Sequence, residues 1–498
     1  MIKSTIAALL LLIAYQPLIC QGESLFDDSF LHEIHFEKMD TLLINGEKNY
    51  QMVNMSFDGI VVDSVGIKDK GNISNNVPNK KLPFKIKTNK YVSGKKYDGI
   101  KEFTLHNNYQ DPSLLREKLT YDFCGQLGLF SLRTAFAKVY INGSYWGLYT
   151  IVEGKDELFK QRFDHRDADA VESLDFGDMC YISNNPDDYN YDLSGSPDYI
   201  LENGEATTAF QRFATMIDKA NNTLATDYLT EVSTYLNLQD FFTYQAANVY
   251  LMNFDSYLGF KGNQIYMYDT TAMIWQVIPW DFNASLNLWD DGNGTQYANT
   301  YPLYPAIITT GCIAEKINTV PALKTYYLNA MCGLVYEYAD TTIINNRIDF
   351  FKSQIQDAVY ADWRKVYSNQ NFEETTEYGR FTIDANEFEG LKTFFSERYE
   401  LIKQSLVDEG YSCTPTSVSN NIGPGPAVQI FPNPSKGYLN IKGDGPTQQL
   451  TIYDMQGRKL KHISQPDFPL EIKDLKAGMY LISVMINHQI TTTKIILE

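Results

Sequence analysis

The sequence predicts an α+β chain followed by a separate β tail. Three observations carry this. The first half of the main body alternates strand-like runs with turns. The second half is dominated by helical runs, and a β-rich half followed by a helical half around a cleft is an α+β layout. A stretch rich in Pro, Gly, Ser and Asn then precedes a series of short alternating segments.

The chain has 498 residues, enough for two or three domains with real cores. Its 44% hydrophobic and 14% aromatic content predicts folded structure rather than disorder. The net charge of −19 argues against nucleic acid as a partner, because phosphate backbones call for Lys/Arg patches.

Residues 1–21 read as a signal peptide. Lys3 gives a positive start, and the apolar run Ala7 to Ala14 is too short to span a bilayer. No later stretch has the length and apolarity of a membrane helix, so no integral membrane segment is expected after cleavage. Export permits disulfides among Cys124, Cys180, Cys312, Cys332 and Cys413, although their irregular spacing leaves the pairing open. No Cys/His spacing suits zinc.

The main body is placed at residues 24–412. "VGIKDKG", "LPFKIKT", "FTLHNN" and "FAKVYINGSYWGLYTIVE" read as strands and turns. One helix interrupts them, with Asp111 as its cap, Pro112 in its first turn and Gly128 at its end. Leu115, Leu119, Phe123 and Leu127 form its buried stripe. Arg116 and Glu117 read most simply as surface pairs, and His106 as a structural hydrogen-bonding residue. Asn184 to Glu205 lacks a clear period and reads as a surface insertion. "LQDFFTYQAANVYLM" and "LKTFFSERYELIKQSL" are helices of the second half. Residues 413–426 form the linker. Residues 427–498 carry short strands spaced as in an Ig-like β-sandwich.

One constellation points to chemistry. A helix ends just before Asp255, Asn263 follows, and strands Gln264 to Tyr268 and Ile274 to Ile278 lead to Asp281. Phosphoryl transfer asks for these parts: one carboxylate to orient a hydroxyl, an amide and a second carboxylate to hold Mg²⁺. Fixed positive charge comes from Lys85 and Lys87, which alternation puts on one strand face. Glu117 is a candidate partner for such a lysine. The polar loop Lys68 to Asn76 is placed to cover phosphates. "WDDGNGTQ" reads as a plain turn rather than a calcium loop. Asp255 and Asp281 also fit the acid–nucleophile pair of a glycosidase, which would need neither metal nor lysines.

Residues 24 to about 405 resemble the spore-coat CotH family of atypical protein kinases. The matching stretches are "SLFDDSFLHEIHFE", "VGIKDKGN", "LPFKIKTNKYVSGKKYDGIKEFTLHNNYQDPSLLREKLTYDF", "LRTAFAKVYINGSYWGLYTIVEGKDELFKQRF", "NFDS…GNQIYMY" and "IPWDFNAS". The resemblance implies a divergent, two-lobed kinase-like fold. It implies ATP and Mg²⁺ or Mn²⁺ as cofactors, and Ser/Thr of secreted or cell-surface proteins as acceptors. It assigns Asp255 as the catalytic aspartate and Asn263 and Asp281 as metal ligands. Lys85 or Lys87 would meet phosphates, and Glu153 would lie near the nucleotide. The chain departs from the family in two places. "SYLGFKG" lengthens the loop between Asp255 and Asn263, and Asn283 stands where many members carry an acidic residue. These departures give the alternative of an inactive surface binding or assembly module.

The tail resembles the C-terminal sorting domain of the type IX secretion system of Bacteroidetes, through "FPNPSKG", "LTIYDMQGRKL", "LKAGMYLISV" and "TTKIILE". This implies export through Sec, engagement of the type IX machinery, and a secreted or cell-surface location.

Overall fold

The computed structural model describes residues 21–71, 74, 77–155, 168–174, 177–195, 199–257, 262–270, 272–288, 294–304, 312–383, 386–413, 429–432, 435–442, 447–454, 459–464, 466–476, 478–486 and 489–497. The expected signal peptide, nearly all of the linker and most of the "WDDGNGTQ" turn lie outside the described residues.

Seven strands close into a barrel: β1 (His32–Glu37), β2 (Gln51–Phe57), β3 (Ile60–Asp69), β4 (Phe84–Lys87), β5 (Glu102–His106), β6 (Thr134–Ile141) and β7 (Ser144–Glu153). Their order is β1-β2-β3-β4-β5-β7-β6, and a parallel pairing of β1 with β6 closes the ring. Alternation decides which side chains go inside. Ile67, Phe84, Ile86, Phe103 and Leu105 share one buried core with Val53, Met55 and Ile151. Their neighbours Lys68, Lys85, Lys87, Thr104 and His106 take the opposite side of the same strands. Strand β7 is buried along nearly its whole length, because helix α5 (Thr341–Ala361) packs on its outer side.

Helix α1 (Arg116–Gln126) begins later than the sequence suggested. Asp111 still serves its start, but through a lead-in turn. Its carboxylate accepts from the backbone N–H groups of Ser113 (2.9 Å) and Arg116 (2.9 Å) and pairs with the Arg116 guanidinium (2.6 Å). Gly128, in the left-handed region at φ 82°, closes the helix end. Arg116 and Glu117 are buried rather than paired on the surface, at 1% and 3% exposure. Helix α1 packs against the helical half, so its polar side chains are desolvated and need partners.

The helical half contains α2 (Ala206–Asn222), α3 (Leu238–Tyr250), α4 (Pro321–Gly333), α5 and α6 (Leu391–Asp408). A four-stranded sheet lies within it, built from β8 (Ala170–Ser173), β9 (Tyr199–Asn203), β10 (Gln264–Asp269) and β11 (Ile274–Pro279), in the order β11-β10-β8-β9. Strand β9 falls inside the stretch read as an insertion. That segment is integral to the sheet, and Tyr199 is buried against Phe213 and Met179.

Among the described residues, two disulfides clamp this half, Cys180–Cys312 and Cys332–Cys413, and Cys124 is free and buried. The tail folds as a three-stranded and a four-stranded sheet that share one apolar core, including Leu439, Ile452 and Ile482. Among the described residues, no helix is long and apolar enough to cross a membrane.

Candidate functional site

A cavity of about 380 Å³ opens between the outer face of the barrel and the hairpin β10–β11. Its barrel side includes Lys70, His106, Asn107 and Glu117, and its opposite side Glu172, Asp255, Asn263, Trp280, Asp281 and Asn283. The volume is in the range of small-molecule sites. Asp255, Asn263 and Asp281, widely spaced in sequence, therefore face one space.

Local packing explains how each arrives there. Helix α3 ends just before Asp255, and the fully buried Arg398 of α6 holds that end. Its guanidinium donates to the carbonyls of Val249 (2.8 Å), Tyr250 (3.2 Å) and Ala298 (2.9 Å). Val249 and Tyr250 are the last residues of α3, where carbonyls run short of intrahelical donors. Asn263 is placed by Gly262, which has φ 61° and presses on the end of β8. A Cβ added there would sit 2.9 Å from the Leu174 carbonyl oxygen. Part of the loop between Asp255 and Gly262 lies outside the described residues.

Asp281 follows β11 and Trp280. Its backbone is left-handed at φ 56°, unusual for a residue with a side chain. It stands at the N-terminus of the short turn Phe282–Ala284 without capping it through its side chain. Burial raises the Asp281 carboxyl above the ordinary carboxylate range; His106 and then Lys70 pull it down, while Glu117 pushes it up.

The barrel side supplies a relay that the sequence reading missed. Lys70, just beyond β3, reaches His106 Nε2 at 2.8 Å, and His106 Nδ1 meets Glu117 Oε1 at 2.8 Å. An ammonium has three donors and no acceptor. Nε2 is therefore the acceptor, and Nδ1–H donates to Glu117. Among the described residues, the other Glu117 oxygen is buried without a hydrogen-bond partner. Burial also lowers the Lys70 ammonium pKa, against the pull of Asp281 and Glu117. Asn107 steadies the adjoining loops by donating to the carbonyls of Ser74 (3.1 Å) and Lys81 (2.8 Å).

The expected basic residues sit elsewhere. Lys85 and Lys87 pair with Glu102 at 2.5 and 3.5 Å, and neither lines the described cavity. Glu117 partners His106 instead of either lysine. Glu153 is buried in an ion pair with Arg133 (2.6 Å), also off the cavity. The signal for Lys70 was present in "GIKDKG": alternation along β3 puts Lys68 and Lys70 on one side. At the cavity's far wall, Lys155 bridges Glu172 (2.5 Å) and Glu202 (2.7 Å) and lies 5.0 Å from the Trp280 ring centre. Desolvation and then Glu172 raise the Glu202 carboxyl to about 6.

The donor set can be weighed against a metal. Among the described residues, no group of three His, Cys, Asp or Glu is arranged to hold one. Asp255, Asn263 and Asp281 offer two carboxylates and an amide, all through oxygen. Such a set suits Mg²⁺ or Mn²⁺ when phosphate oxygens and water complete the shell. The Asp281 carboxyl, half-buried and not used as a cap, fits that role.

A family model described as "CotH kinase protein" matches residues 67–402, about two thirds of the chain. A second, described as "Secretion system C-terminal sorting domain", matches residues 429–498. Among curated proteins, the inner spore coat protein H of Bacillus subtilis (strain 168) is 29% identical over 204 residues, 39% of this chain. The match spans 52% of that relative's length.

Proposed function

Because the chain belongs to the CotH kinase family, we propose that it transfers the γ-phosphate of ATP to Ser or Thr hydroxyls of secreted or surface proteins. Its sorting domain of the type IX secretion system marks it for secretion or display at the cell surface. The barrel would be one lobe of a divergent kinase-like fold, the helical half the other, and the tail an Ig-like sandwich. The observation that carries the reading is the shared cavity, where Asp255, Asn263 and Asp281 face Lys70.

In this scheme Asn263 and Asp281 would hold Mg²⁺ or Mn²⁺, which would offset phosphate charge. Lys70 takes the phosphate contact first assigned to Lys85 or Lys87. Asp255 orients the acceptor hydroxyl. The hydroxyl oxygen bonds to the γ-phosphorus as the bond to the β–γ bridging oxygen breaks. The hydroxyl proton passes to the Asp255 carboxylate, and ADP leaves.

The test is thermal stabilisation by ATP with Mn²⁺ or Mg²⁺, followed by phosphate transfer. Asp281→Ala should lose metal-dependent nucleotide binding, and Asp255→Ala should keep binding and lose transfer. Intact transfer in either variant would sink the assignment. Asn283 favours a second reading, an inactive binding module. It lines the cavity where many relatives carry a carboxylate. That reading predicts no stabilisation with any metal.

A further inference from the structure

The charge of this chain is unevenly distributed. Between Lys68 and Lys101 there are ten lysines and two acidic residues, in a protein of net charge −19. The fold gathers several of these lysines on one outer face of the barrel. Lys68 on β3 lies opposite Lys85 on β4, and Lys87 lies opposite Gly66. Tyr50, just before β2, lies between two ammonium groups: Lys68 Nζ is 4.9 Å and Lys90 Nζ 4.8 Å from its ring centre. Gly66 makes this stacking possible. A Cβ added there would sit 2.6 Å from Lys90 Cβ and 3.1 Å from Tyr50 Cδ1.

Two ordinary explanations fit poorly. Lysines often guard a sheet edge against pairing with other chains, but β3 and β4 sit inside a closed barrel and have no edge. A solubility role favours charges of both signs, interspersed. Here Glu102 is the carboxylate that pairs with Lys85 and Lys87 among the described residues, and it is buried. Like charges crowd each other as well. Burial lowers the Lys68 ammonium pKa and repulsion from Lys85 lowers it further; Glu102 opposes this, and Lys48 and Lys87 add to the repulsion.

The face also leads to the reaction space. Lys70, two residues beyond Lys68, lines the cavity, and Lys85 is near enough to oppose its charge. We propose that the Lys68–Lys87–Lys90–Tyr50 face docks an anionic stretch of the protein substrate, so that acceptor hydroxyls are those flanked by carboxylates or phosphates. This rests on the phosphotransferase reading and names the substrate class. An extended peptide rises about 3.3 Å per residue. Alternate acidic side chains can therefore meet successive lysines while a neighbouring hydroxyl enters the cavity. A phosphate already on the peptide adds about −1.5 to −2 charges. Each transfer would then strengthen docking for the next.

The experiment is fluorescence anisotropy with the full secreted chain and labelled peptides of equal length. One peptide carries Ser flanked by Glu, one Ser flanked by phosphoserine, and one Ser flanked by Gln. Both anionic peptides should bind, the Gln peptide should not, and added salt should weaken binding. The triple variant Lys68→Glu, Lys87→Glu, Lys90→Glu should bind the anionic peptides about tenfold more weakly. It should keep the wild-type thermal shift with ATP and Mn²⁺. Tighter binding of the phosphoserine peptide supports phosphate as the anion recognised, and equal binding supports carboxylate. Equal affinity for the Gln peptide, or an unchanged triple variant, overturns the proposal. Loss of the ATP shift in the triple variant also overturns it, because the face would then belong to the nucleotide site. Absence of that shift in the wild type, with anionic binding intact, instead overturns the phosphotransferase reading.

Discussion

The relay through His106 can be measured directly. Its Nδ1 and Nε2 each make a 2.8 Å contact, to Glu117 and Lys70. The His106 and Glu117 side chains are only 14% and 3% exposed. A hydrogen bond to a charged group in such a place is worth about 1.5–3 kcal/mol. Removing one partner strands a buried polar group, the Glu117 carboxylate or the Nδ1–H, and costs about 1–3 kcal/mol, more for the charge. His106→Ala and Glu117→Ala should each destabilise by about that amount. The double variant should lose less than the sum, with a coupling of about 2 kcal/mol. Urea unfolding of the four proteins supplies the cycle. A separate readout tests positioning: both single variants should raise KM for ATP more than they lower kcat, because Lys70 loses its strut. A coupling under about 0.5 kcal/mol, or an unchanged KM, would refute the relay.

Three further outcomes follow from particular residues. Replacing Cys332 and Cys413 by Ala opens a loop spanning 81 residues, and chain entropy alone predicts a loss of about 4.5 kcal/mol, read by denaturant unfolding. Glu202 has a carboxyl raised to about 6 from 4.5. The native state therefore holds its proton more tightly than the unfolded chain. The resulting stability is fully present below pH 4.5 and is lost as pH rises through about 6. Across that window the wild type should lose about 2 kcal/mol relative to Glu202→Gln, and parallel pH curves would contradict this. Gly262→Ala puts a Cβ 2.9 Å from the Leu174 carbonyl oxygen at φ 61°. It should cost about 1–3 kcal/mol and weaken the ATP–metal thermal shift, because Asn263 is displaced.

Local pattern made much of this fold legible. Strict alternation in "FKIK" and "EFTLH" marked which side chains enter the barrel core. Apolar spacing marked α3, and the turn after Asp269 marked the β10–β11 hairpin within a residue at each end. Closure of the barrel was not legible, because the parallel β1–β6 pairing joins segments about a hundred residues apart and leaves no local trace. Strand β9 was hidden because its short run YILEN sits in a polar surround and is ordered by pairing with β8. That Asp255, Asn263 and Asp281 face one cavity was foreshadowed, since each follows a recognisable element. Lys85 and Lys87 do not line that cavity. Lys85 and Lys87 have the right alternation, but Glu102 on the next strand holds them, while Lys70 reaches the cavity through a histidine far away in sequence. Pairings of that kind depend on strand register, which no single segment encodes.

The most direct measurement of the central claim is phosphate transfer by the purified mature protein with labelled ATP and Mn²⁺. The acceptors would be Ser peptides with acidic flanks, with Asp255→Ala and Asp281→Ala run in parallel. The account predicts label on Ser in the wild type and none in either variant, with nucleotide stabilisation kept only by Asp255→Ala. Transfer that survives in Asp255→Ala, or a wild type that neither transfers phosphate nor is stabilised by ATP and metal, would contradict it.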